Sequence, residues 1–137
     1  MFKKVHVFRV QPGQELLTDI ASYCNKNNIT SGVIIGIIGS LEKARLSFLV
    51  RLPGEYIPVD YAGPLEIVCA QGSVASGEDS HIIHIHIQIS DQEVCRGGHL
   101  VEARVFSTAE VVIGELDYQL HRAVDEYTGL NELTQDD

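Results

Sequence analysis

His84 and His86, one residue apart in His81-Ile-Ile-His-Ile-His-Ile-Gln-Ile-Ser90, are the residues of this chain best suited to chemistry. A third imidazole, His99, follows the pair Gly97-Gly98. A strand sends alternate side chains to opposite faces. Ile83, Ile85, Ile87 and Ile89 then share a core face, and His84, His86, Gln88 and Ser90 share the other. If Asp91-Gln92-Glu93-Val94 is the turn, the chain folds back as a hairpin with Ser90 opposite Cys95 and His86 opposite His99. Opposed residues point to the same face, with Cβ atoms about 5 Å apart. Three imidazoles gathered in this way suit zinc or a similar divalent ion and leave a coordination position open. The alternative is a strand with a merely polar face, and a bulge at the glycine pair would move the register by one. His6, His81 and His121 stand alone and read as surface or satisfied core residues. Cys95 reads as a plain strand position.

Glu66 is the next candidate. It is an ionisable group within the apolar strand Leu65 to Ala75, and such groups often mark sites. If it lines the histidine pocket, it is placed to act as a general base toward a metal-bound water. The alternative is an outward residue on a half-exposed strand. Gly36-Ile-Ile-Gly39 lacks the Lys-Ser/Thr of a phosphate loop, and no nucleotide fingerprint or nucleophile elbow is present.

The elements that must position these groups are mostly strands. Lys4 to Val10 alternates and reads as a strand. Leu16, Leu17, Ile20, Ala21 and Cys24 recur at helical spacing, which predicts an amphipathic helix over residues 14–26, ended by Asn27-Asn28. Gly32 to Ile38 reads as a buried strand in which Gly36 and Gly39 signal a bulge or a close backbone approach. Strands are predicted over 41–51, 56–61, 65–75, 100–106 and 110–116, and a last short one over 119–124. Residues 125–129 read as a turn, and the acidic tail of about 130–137 as a frayed, solvated terminus. One helix among many strands predicts a single α+β domain over 1–137, built on a mostly antiparallel sheet.

Composition narrows the function. At 137 residues with 45% hydrophobic and 21% charged content, the chain can bury a proper core. No apolar run is long enough to cross a membrane, and the N-terminus lacks the apolar region of a signal peptide. Three cysteines at irregular spacing, Cys24, Cys69 and Cys95, read as reduced thiols in a cytoplasmic protein. The net charge of −9 argues against binding the phosphate backbone of nucleic acids.

Several segments together resemble the plant-and-prokaryote-conserved domain, also called the domain of unknown function 296. They are Ile34-Ile-Gly-Ile-Ile-Gly-Ser40, Pro64-Leu-Glu-Ile-Val-Cys-Ala-Gln-Gly-Ser73, His84-Ile-His-Ile-Gln-Ile-Ser-Asp91, Gly97-Gly-His-Leu100 and Ala109-Glu-Val-Val-Ile113. The resemblance spans nearly the whole chain, and His-x-His followed by Gly-Gly-His-Leu is its most specific part. It implies a compact α+β domain that assembles as a homotrimer. It also implies a metal ion held by His84, His86 and His99, as in bacterial and archaeal members with all three histidines. Plant members join the domain to basic AT-hooks, and this chain has no Arg-Gly-Arg-Pro hook. Three functions follow as expectations. One is a metal-dependent enzyme or sensor for a small molecule. Another is a scaffolding trimer with a structural metal. The third is a DNA-associated regulator.

Overall fold

Alternating apolar and polar residues carry most of the chain into strands. The computed structural model describes residues 1–134. Its elements are β1 (Phe2–Val10), α1 (Leu16–Lys26), β2 (Gly32–Arg51), β3 (Glu55–Ser76), β4 (His81–Ser90), β5 (Cys95–Leu116), β6 (His121–Val124) and β7 (Asn131–Thr134). β2, β3 and β5 are longer than the sequence predicts, because segments expected as separate strands run together. Bulges absorb the residues that looked like breaks. The β2–β3 register shifts between Leu41 and Lys43, where Gly63-Pro64 lies on the partner strand. Proline has no N–H to give to a ladder, so it is tolerated where the ladder is already interrupted. The expectation for Gly36 and Gly39 is met: the β2–β5 register shifts beside both. A Cβ on Gly39 would run into the carbonyl of Thr108.

β2 pairs with β3 and with β5, and β4 also pairs with both, so these four strands close into a ring. β1 adds to β5 on the outside. The sheet is antiparallel except at one point, where Ser76 of β3 meets His121 of β6 in parallel. The architecture is thus a mixed, mainly antiparallel sheet with one helix. The frayed terminus expected over 130–137 is corrected in part: Asn131–Thr134 pairs with β6, and residues 135–137 lie outside the described residues.

The helix closes the core. Leu16, Ile20 and Cys24 are its buried residues, spaced four apart on one stripe. Glu15 caps the helix: its carboxylate accepts from the backbone N–H groups of Leu17 and Thr18 and from that of Ala103 in β5, at 2.9–3.0 Å. One side chain therefore satisfies two free helix donors and ties the helix start to the sheet. Ile85, Ile87 and Ile89 are buried with Ile34, Leu46 and Val105 in the same cluster. Each such side chain contributes about 1.5–3 kcal/mol when removed from water. That burial holds the isoleucine face of β4 inward and the histidine face outward.

Candidate metal centre

The β4–β5 hairpin has the register its spacing predicts. Ser90 pairs with Cys95 and His86 with His99, and the glycine pair introduces no shift. Asp91 closes the loop by accepting from the N–H groups of Glu93 and Val94, each at 2.8 Å. On the other side of β4, Gln71 of β3 faces His86 and Ser73 faces His84. Gly72 lets β3 come this close, since a Cβ there would collide with the carbonyl of His84.

His84, His86 and His99 form one cluster, with a nitrogen from each ring within 4.8 Å of the others. Ring centroids are 5.0 Å apart for His84–His86, 4.9 Å for His84–His99 and 5.6 Å for His86–His99. His86 is exposed, and the other two are half-buried. Burial first, then the charge of Arg122 and the neighbouring imidazoles, pull the pKa of His84 down to about 4. Burial and the proximity of His86 lower that of His99. Both are therefore neutral near pH 7, the form a metal ion needs. Three imidazoles gathered this closely are a donor set that fits zinc. His84, His86 and His99 are the residues that would hold it.

The three histidines line a cavity of about 420 Å³, together with Leu49, Tyr56, Ile82, Ile83, Arg122, Leu130, Asn131 and Glu132. Arg122 donates from Nη2 to Ser73 Oγ at 3.0 Å and to His84 Nδ1 at 3.1 Å. Its Nη1 donates to the carbonyl of Asn131 at 2.8 Å. A guanidinium has only donors, so Nδ1 of His84 is the acceptor and carries no proton in this arrangement. The Nε–H of Arg122 is buried and has no partner among the described residues.

Glu66 is not brought to the histidines. It pairs with Ser90, four residues along β4 from His86, a separation of about 13 Å at roughly 3.3 Å per residue. It is exposed and lines a different cavity, of about 670 Å³, with Gly63, Pro64 and residues 90–93. The pocket expected for it is therefore the wrong one, because a bulge and a run of ladder pairs separate the two ends of β4. Cys95 stands opposite Ser90, four residues from His99, and is no part of the cluster.

Arg122 and Glu132 are the charged cavity residues, and the sequence disclosed neither as part of the site. Glu132 reads there only as part of an acidic end. Both sit on the β6–β7 hairpin, where Ala123 faces Glu132 and Arg122 faces Leu133. The parallel bridge to Ser76 and the hydrogen bonds from Arg122 to Ser73 and His84 hold that hairpin beside the histidines. Nothing in the local pattern of His121–Val124 announces this.

Comparison with known proteins agrees with the fold. A solved structure of a metal-containing protein from Archaeoglobus fulgidus is 27% identical and superposes with a TM-score of 0.90, over 98% of this chain and 96% of that one. A plant- and prokaryote-conserved protein from Pyrococcus horikoshii is 26% identical with a TM-score of 0.89, over 100% and 95% of the two chains. Among curated proteins, a bifunctional protein GlmU of a Synechococcus species is 29% identical over 95% of this chain. The chain spans only 20% of that relative's length. The model of the Plants and Prokaryotes Conserved domain matches residues 1–117, and the chain belongs to that family.

Proposed function

We propose that this chain is a metal-binding domain in which His84, His86 and His99 hold one divalent ion, zinc, with a coordination position left open toward the cavity. The observation that carries the reading is the convergence of three imidazole nitrogens within 4.8 Å on the wall of that cavity. Among the described residues no fourth His, Cys, Asp or Glu joins the cluster. Zinc with three protein ligands and an open position serves as a Lewis acid and lowers the pKa of bound water. The apolar side chains beside the histidines and the cation of Arg122 bind and orient a small molecule there. An enzyme or a sensor for a small molecule is the function this supports best. The metal-containing relative from Archaeoglobus fulgidus favours the same reading.

Elemental analysis tests it. Near-stoichiometric zinc is expected in the wild type and little in His86→Ala. Equal metal in both removes the assignment.

The protein works as a homotrimer in this reading. Val5, Val7, Ile35, Ile38 and Val68 stand exposed on β1, β2 and β3, apolar side chains that association would cover. Among the described residues no helix is long and apolar enough to cross a membrane. Three free thiols fit the reducing cytoplasm. A DNA-associated role finds no support in a net charge of −9.

A further inference from the structure

The β6–β7 hairpin lies beyond residues 1–117, the part matched by the family model, yet it supplies one wall of the histidine cavity. Arg122 on that hairpin is bound in a way that cannot survive metal loading. Its Nη2 donates to Nδ1 of His84. A metal bound through Nδ1 would take the same lone pair. A metal bound through Nε2 of a neutral imidazole would leave a proton on Nδ1, which then cannot accept from a guanidinium. In either case the loaded protein has an arginine with one Nη2 donor released and a buried Nε–H that has no partner among the described residues.

Nε and Nη2 form one edge of the guanidinium, the edge that matches a carboxylate with two parallel hydrogen bonds. The same chain shows the match elsewhere: Arg45 holds Asp60 through Nε at 2.7 Å and Nη2 at 3.1 Å. On Arg122 that edge meets no carboxylate among the described residues, and its Nε is buried in the metal-free chain, so a ligand reaches it only once the bond to His84 is released.

We propose that Arg122 receives the carboxylate of a small organic acid, which is held in the cavity between the guanidinium and the metal. The proposal rests on the metal reading given above. The charge balance and the lining choose the ligand class. Phosphate sites gather several donors, such as a helix N-terminus, a glycine-rich loop or a second cation. Among the described residues Arg122 is the one Lys or Arg on the cavity wall, and Glu132 sets a negative charge on the same wall, which disfavours a dianion. Leu49, Tyr56, Ile82 and Leu130 offer apolar surface to the rest of the acid. A cavity of about 420 Å³ has the volume of a small-molecule site.

Butyrate is the probe. It is titrated calorimetrically into the full chain loaded with zinc, and metal content and thermal unfolding are measured for every preparation. The wild type is expected to bind butyrate. Arg122→Gln is expected to bind at least about tenfold more weakly while keeping its zinc, as loss of a hydrogen bond to a charged group implies. Arg122→Lys keeps the charge without the fork and is expected to recover only part of the affinity. Unchanged butyrate binding in Arg122→Gln at full metal content overturns the proposal and leaves the metal reading standing. Loss of zinc from Arg122→Gln also overturns it, since the loaded protein should not need the bond to His84. Failure of the zinc-loaded wild type to bind butyrate, or tighter binding of inorganic phosphate, overturns the carboxylate assignment. A wild type that takes up no zinc overturns the metal reading and the proposal together.

Discussion

His86 stands directly opposite His99 across the β4–β5 hairpin, and this one pairing decides whether a metal cluster exists. A strand register that slips by one residue sends every side chain to the other face. Deleting Gln92 from the loop is therefore expected to abolish zinc binding even where the circular dichroism of the sheet is kept. Retention of full zinc by the deletion variant would show that the register does not matter.

Zinc is expected to raise the melting temperature of the wild type, because a ligand that binds only the folded state stabilises it by mass action. The rise should grow with free zinc and be absent in His99→Ala. An equal rise in both proteins places the stabilising ion elsewhere.

The metal-free chain should lose stability as pH falls from about 6.5 toward 4. The pKa of His84 is about 4 in the folded chain, below its ordinary value of 6.5, so the unfolded chain binds the proton in that window and the folded chain does not. The contribution is present above the unfolded value and lost as pH drops through the folded one. Thermal melts across this range should be steeper in pH for the wild type than for His84→Gln. Parallel profiles for the two proteins would exclude His84 as the source.

Gly72→Ala is expected to destabilise the fold by about 1–3 kcal/mol, because its Cβ would meet the carbonyl of His84 in the β3–β4 ladder. It should weaken zinc binding too, since the strand bearing two of the three histidines must shift. Urea unfolding and metal content, measured together, check both parts.

His6 is buried with Nε2 2.8 Å from Glu115 Oε2 and Nδ1 3.2 Å from the Tyr23 hydroxyl. His6→Ala should cost about 1–3 kcal/mol, as it leaves polar partners unsatisfied where β1 joins β5. The hydrogen bonds from His6 and Lys3 hold the Glu115 carboxyl below its ordinary pKa. Its contribution is therefore present above the carboxylate range and lost as pH falls through the folded value. Urea titrations of Glu115→Gln should show less acid sensitivity than the wild type.

Light scattering at micromolar concentration should report a trimer, and Ile38→Asp should shift it toward monomer. Ile38 is 70% exposed in the isolated chain, and a charge placed there is costly only if a partner covers it. A wild-type monomer contradicts the assembly.

The hairpin was legible from sequence because everything that sets it is local. Period-two alternation puts His84 and His86 on one face, the isoleucines bury the other, and a four-residue loop fixes which residue opposes His86. The helix was legible for the same reason: its stripe of Leu16, Ile20 and Cys24 repeats within its own length. Tertiary structure alone decided what surrounds the histidines. Glu66 sits in an apolar strand as expected, but the β3–β4 ladder leaves it opposite Ser90 rather than near His86. Arg122 and Glu132 belong to a short hairpin with no clear periodicity, and long-range contacts, the bridge from His121 to Ser76 and the hydrogen bond from Arg122 to Ser73, carry them to the cavity. Alternation reports which face a side chain takes. It does not report which distant strand edge will meet it, because that depends on the closure of the whole sheet.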